Sequence, residues 1–221
     1  MNYAVIACQT LSDELTKAIY DTGCQYPVFW VDSKYHLDPN KLRDKLQQEI
    51  DGLEDIDCVL LAYGSCGNGL VDLEAKTADL IIPKTDDCIS MVLSEPGKIF
   101  NRHKETYFLT KGWLEGSKGL LNEYWSTLER YGEARTKRIF ELMLKHYQKL
   151  LLIDTKAYNI EEWMLKAQEL AEKTNLKLVT TEGSIWFLKQ LLTGPYDENF
   201  CVIKKGQKVN VNDFRSYSIN S

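Results

Sequence analysis

Short apolar runs alternate with amphipathic stretches along most of this chain, and that alternation restricts the fold more than any other feature. "YAVIAC" (Tyr3 to Cys8), "PVFWV" (Pro27 to Val31), "CVLLAYG" (Cys58 to Gly64) and "ADLIIP" (Ala78 to Pro83) are brief and rich in branched residues. This is the pattern of strands buried on both faces. The first run is followed by "TLSDELTKAIYDTG", where Thr10 is placed to cap a helix, Leu11, Leu15 and Ile19 share one face, and Gly23 supplies the stop. Asn40 is placed to cap a second helix carrying Leu42, Leu46, Ile50 and Leu53. Strands joined through helices by short connections predict a mostly parallel sheet with helices on both faces.

The middle departs from this rhythm. "KGWLEGSKGLLNEYWSTLERYGEARTKRIFELMLKHYQK" is aromatic, charged and helical in period, which predicts two helices over about 114–131 and 133–148. Its opening "KGWLEG" reads as a loop or short turn. Strand and helix then alternate again: "LLLIDT", a helix capped by Asn159, "KLVTTEG", a helix from Ser184 to Gly194, and a last strand in "FCVIKKG". The expected fold class is α/β, two Rossmann-like lobes with mostly parallel sheets joined by a helical segment. The expected boundaries are 1–112 for the first lobe, 113–149 for the helical connector and 150–221 for the second lobe.

Composition narrows the class of function. The 221 residues suffice for a sizeable core, and 44% hydrophobic with 27% charged residues is the balance of a soluble globular protein. A net charge of -5 argues against a nucleic-acid partner, which calls for a basic face. No apolar run approaches the roughly 20 residues that span a bilayer. "MNYAVIACQT" lacks the charged and apolar regions of a signal peptide. A cytoplasmic protein with no nucleic-acid or membrane partner is expected, and in that reducing setting the six cysteines should stay unpaired.

Three of those cysteines fall where an open parallel sheet binds its ligands, outside the carboxyl ends of the strands. Cys8 ends the first strand, Cys66 follows the third in "YGSCGNG", and Cys88 lies just past the fourth in "PKTDDC". The three are predicted on one rim, whereas Cys24 follows a helix and Cys58 and Cys201 sit at the starts or interiors of strands. Three thiolates there suit a soft metal centre. An iron–sulfur cluster with one iron open to substrate is slightly favoured over zinc with an open fourth position. Gly64, Gly67 and Gly69 would let the backbone turn tightly and approach such a centre. Asn68 either presents an amide to a substrate or takes a left-handed turn conformation. Packing of buried thiols, or a metal-free reactive thiol, is the competing reading.

Other groups carry weaker signals. "GSCGNG" lacks the GxxxxGK[ST] pattern, and no glycine follows the first strand, so neither nucleotide-binding fingerprint is present. A nucleophilic Cys66 would need a base, and His36, His103 and His146 have no supporting motif. Asp87, beside Asp86 and Cys88, is either a proton-handling catalytic group or a capping residue. Glu14 points toward the same rim as a catalytic candidate, unless it is an ordinary exposed helix glutamate. Trp113 and Arg135 are candidates for a substrate- or cofactor-binding cleft wall between the lobes, while Tyr63, Tyr131 and Tyr147 read as core.

"AC" after the first strand, "YGSCGNGL" after the third, then "IIPKTDDCI" and "YFLTKGWLE" resemble, in that order, the uncharacterised bacterial and archaeal family called domain of unknown function sixteen-thirty-eight. The likeness continues through "HYQKLLLIDT" to "LLTGPYDENF". The resemblance implies signature thiols at Cys8, Cys66 and Cys88, and an association with corrinoid-dependent methyl transfer and one-carbon metabolism. It carries no established activity. Its members have His-Cys where this chain has Asp87-Cys88, which weakens the catalytic reading of Asp87.

The expected function is a three-thiolate metalloprotein that binds a small-molecule substrate, a lyase or methyltransferase if it turns over. The second expectation is a non-catalytic accessory or carrier serving a corrinoid protein or methyltransferase partner. The third is a metal-free small-molecule binding module, in which the three thiols would not meet.

Overall fold

The computed structural model describes residues 1–98, 100, 102–116 and 119–214. Strands β1 (Tyr3–Cys8), β2 (Val28–Val31), β3 (Cys58–Ala62) and β4 (Asp79–Pro83) lie parallel in the order β2-β1-β3-β4. Every residue of β3 is buried, as its unbroken apolar run requires. Helices α1 (Ser12–Thr22) and α2 (Pro39–Asp51) cover opposite faces. Leu15 and Ala18 of α1 join Val5 and Ala7 in one core cluster, while Leu42, Leu46 and Ile50 of α2 join Ile6 and Cys8 in the other. Burying each of those three α2 side chains contributes about 1.5–3 kcal/mol.

Two caps differ from expectation. Asp38, not Asn40, caps α2, accepting from the Asn40 and Lys41 amides at 3.0 and 3.4 Å, because Pro39 is pre-set for the first helical position. Thr10 does not cap α1; it lies in a 3-10 turn (Gln9–Leu11), and its hydroxyl is occupied by two cysteines. Gly23 ends α1 with φ of 67°, as expected, and Asn159 caps its helix by accepting from the Glu161 amide.

Past β4 the chain forms α3 (Cys88–Leu93), β5 (Thr106–Leu109), α4 (Lys111–Glu115), α5 (Leu120–Tyr131) and α6 (Glu133–Met143). The first long helix anticipated for the middle is therefore split, with Gly116 as the C-cap of α4 and Gly119 as the N-cap of α5, and "KGWLEG" is a helical turn rather than a loop. Then follow β6 (Lys149–Asp154), α7 (Ile160–Thr174), β7 (Lys177–Glu182), α8 (Trp186–Thr193) and β8 (Phe200–Ile203).

Sheet membership crosses the expected lobe boundaries. β5, which arises within 1–112, pairs in parallel with β6 in a three-stranded sheet ordered β5-β6-β7. β8, from the end of the chain, returns to the first sheet and runs antiparallel to β4. The return follows from α8, whose Leu188 and Leu191 pack in the first lobe's core with α1, delivering the chain to the free edge of β4. The α/β class with two mostly parallel sheets stands, but the chain passes between the sheets twice.

Candidate functional site

The connection from β1 goes to one side of the sheet and that from β3 to the other, so the topological switch lies between these two strands. Ligands of open α/β sheets bind outside this point. Cys8 and the loop after β3 both stand there.

That loop is shaped by its glycines. A side chain on Gly64 would meet the Thr85 carbonyl oxygen at 2.6 Å and the Asp87 nitrogen at 2.7 Å. Its absence lets the β3 and β4 loops join through Ser65 N–H to Thr85 O and Cys66 N–H to Asp86 O, each 2.8 Å. Cys66, Gly67 and Asn68 then take φ of 48°, 66° and 68° in succession. Asn68 is thus the left-handed turn residue, a conformation asparagine tolerates. Cys66 is not so suited, and holding it there costs about 1–3 kcal/mol. Gly69 admits the Leu42 side chain, which a Cβ would meet at 2.8 Å. These four residues are the scaffold of the Cys66 turn.

Cys88 opens α3 and is buried. Asp87 caps that helix, accepting from the Ser90 amide at 2.9 Å, and its other oxygen pairs with Arg102. Both carboxylate oxygens are engaged, as the capping alternative for Asp87 expects. The Trp113 indole N–H donates to the Cys88 sulfur at 3.0 Å. Trp113 reaches it because α4 packs closely on the turn after β1: a Cβ on Gly112 would sit 2.1 Å from the Thr10 carbonyl oxygen.

Cys8 is buried at the end of β1, with Thr10 Oγ1 and His36 Nε2 each 2.9 Å from its sulfur. The same Thr10 hydroxyl reaches Cys88 Sγ at 4.0 Å, so it bridges the two thiols. The His36 ring stacks on Tyr63 and meets Trp113 edge-on, with centroids at 5.9 and 5.7 Å. The buried Tyr63 hydroxyl lies near the Cys8 sulfur without hydrogen-bonding geometry. Cys66 is half-buried, packed against the core cluster that holds Cys8 and Tyr63.

The electrostatics of this cluster are uniform in direction. Burial pushes the thiols of Cys8, Cys66 and Cys88 up, and the charges that add to it are negative: the other cysteines, Asp32 and Asp87. Thr10 at Cys8, and Trp113 with Thr10 at Cys88, oppose the shift by hydrogen bonding. Burial lowers the pKa of His36, favouring neutral imidazole, against the pull of Asp87. Among the described residues, no three of His, Cys, Asp and Glu stand close enough together to hold a metal ion. The donors are gathered but not closed on one point.

Glu14 is a correction of another kind. It is fully buried rather than exposed, bonded by the Thr155 hydroxyl at 3.0 Å between the first helix and the second sheet. Burial raises its pKa to about 7, and its second oxygen has no hydrogen-bond partner. Arg135 lies exposed on α6, and Tyr131 is likewise exposed rather than core. Cys201 does come near the rim end, because antiparallel β8 places it opposite Ile82, but its thiol donates to the Asp213 carbonyl at 3.0 Å.

His36 is the residue for which motif reasoning found no support. It follows the carboxyl end of β2, in the 3-10 turn Ser33–Leu37, so the rule that selected the three cysteines also selects it. Together these features define an α/β protein of two sheets with a thiol-rich site at its topological switch point. The chain belongs to the family described as Protein of unknown function (DUF1638), which matches residues 30–192. No curated protein and no solved structure matches it significantly. Among the described residues no helix is long and apolar enough to cross a membrane.

Proposed function

We propose that Cys8, Cys66 and Cys88 hold a soft metal centre, an iron–sulfur cluster or zinc, with His36 as a further donor and a small molecule as substrate. The observation that carries the reading is the gathering of the Cys8 and Cys88 thiols and the His36 imidazole around Thr10 and Tyr63, with Cys66 packed against the same core cluster. Each thiolate there is disfavoured by burial and by the other negative groups. A cation among them removes that penalty, which fits the donor set to a thiophilic metal in kind.

Cys8 and Cys88 share the Thr10 hydroxyl at 2.9 and 4.0 Å, and among the described residues no three donors close on one point, so the site would have to tighten on loading. Bound there, the metal would supply Lewis-acid activation of substrate. Six free cysteines support a reducing, cytoplasmic setting. Corrinoid-linked methyl metabolism, with a corrinoid protein or methyltransferase as partner, is the context the family resemblance implies. A non-catalytic carrier role would use the same centre.

One contact favours a second reading. His36 on Cys8 at 2.9 Å is a base within reach of a thiol, the pairing of a metal-free nucleophile. Metal and acid-labile sulfide content after anaerobic purification, for wild type and Cys66→Ala, separates the two. Metal bound by wild type and lost in the variant supports the centre; metal-free protein whose Cys8 alkylates in a His36-dependent way supports the nucleophile.

A further inference from the structure

A cavity of about 400 Å³ opens between the lobes, and Cys88 and Trp113 form part of its wall. Its size is that of a small-molecule site. One side is cationic. Arg102 and Lys104 line it, with His103 between them, while the single carboxylate in the lining, Asp87, is already paired with Arg102. Lys104 is exposed and has no ion pair among the described residues. In a chain of net charge -5, this local excess of positive charge runs against the protein's overall field and would draw anions toward the thiols. The opposite side is aromatic: Trp113, with Tyr107 and Tyr147 packed edge to face at 5.2 Å. Such walls favour a flat or apolar body.

We propose that this cavity binds a small organic anion, a carboxylate or phosphate ester with a planar body, its charge on Lys104 and Arg102 and its body against Trp113 and Tyr147. The inference rests on the reading of Cys88 as part of a chemical centre, and it names the substrate class for that centre. Arg102 is held in place by Asp87 and by the face of Phe108, 5.6 Å from the ring centroid, so it meets the anion without first being ordered.

Calorimetric titration of the full chain tests it, with benzoate and phenyl phosphate as probes and neutral benzyl alcohol as the uncharged control. Saturable binding of either anion, weakened tenfold or more by Lys104→Glu and at high salt but unchanged by Lys205→Glu, is the expected result. Preference for benzoate or for phenyl phosphate identifies the head group. Absence of saturable binding by both anions, equal loss in both lysine variants, or equally tight binding of benzyl alcohol overturns it. Metal analysis of the same wild-type protein separates the two proposals. Anion binding by wild type that takes up no metal leaves the cavity assigned and removes the metal centre, whereas metal uptake without anion binding does the reverse.

Discussion

The Trp113 indole donates its N–H to the Cys88 sulfur at 3.0 Å, joining a residue after the fifth strand to a thiol after the fourth. A donor on sulfur stabilises thiolate over thiol, so this bond lowers the Cys88 pKa against the stronger upward push of burial. Trp113→Phe keeps most of the packing and removes the donor. Loss of a group that supports a metal ligand typically costs 10–100-fold in metal affinity. Chelator competition on the two proteins should show a loss in that range; unchanged affinity would mean that the bond only seats the indole.

Gly64→Ala places a methyl group against the Thr85 carbonyl and the Asp87 amide, both backbone, at distances that require the loops to part. Overpacking of this kind costs about 1–3 kcal/mol. Urea denaturation should give a loss of that size, and metal uptake should fall with it because the displaced loop carries Cys66. Full stability in the variant would show that the loops have room to spare.

Cys66→Gly should separate structure from function. Glycine relieves the left-handed strain at φ of 48° but adds freedom to the unfolded chain, so metal-free stability should hold or rise by up to about 1 kcal/mol. Metal binding should be abolished. A large loss of stability in the metal-free protein would instead make Cys66 a packing residue, and the metal reading would lose its third ligand.

Glu14 predicts a pH dependence with a definite sign. Its folded pKa, about 7, lies above the ordinary 4.5 because burial penalises the charged form. The stability it contributes is therefore complete below pH 4.5 and declines as pH rises through 7. At about 1.36 kcal/mol per unit, the decline is on the order of 3 kcal/mol. Glu14→Gln keeps a hydrogen-bonding partner for Thr155 and cannot ionise. Denaturation at pH 5 and pH 8 should show a fall across this window in wild type that flattens in the variant. Parallel curves for the two proteins would falsify the assignment.

Much of the first lobe was legible because its signals are local. Unbroken apolar runs such as "CVLLA", short and bounded by turn residues, fit buried strands, and strand direction in a parallel sheet puts Cys8, Cys66 and Cys88 on one rim without reference to any contact. The short strand Thr106–Leu109 is not legible in the same way, since four residues with no alternation carry little pattern. The return of β8 to the first sheet was equally hidden, because pairing partners are chosen by which edge the preceding helix presents.

The site divides in the same way. From the sequence alone come the α/β class, the rim thiols and the glycines that turn the Cys66 loop, because backbone conformation and strand polarity follow from residue type and order. Only tertiary structure decided that Thr10 would leave its capping role to bridge two cysteines, that His36 and Trp113 would each bond a thiol, that Asp87 would be spent on a helix and an arginine, and that Glu14 would be buried between the sheets. Hydroxyls, imidazoles and carboxylates have many satisfactory partners, and which one each takes depends on what the fold sets within about 3 Å of it.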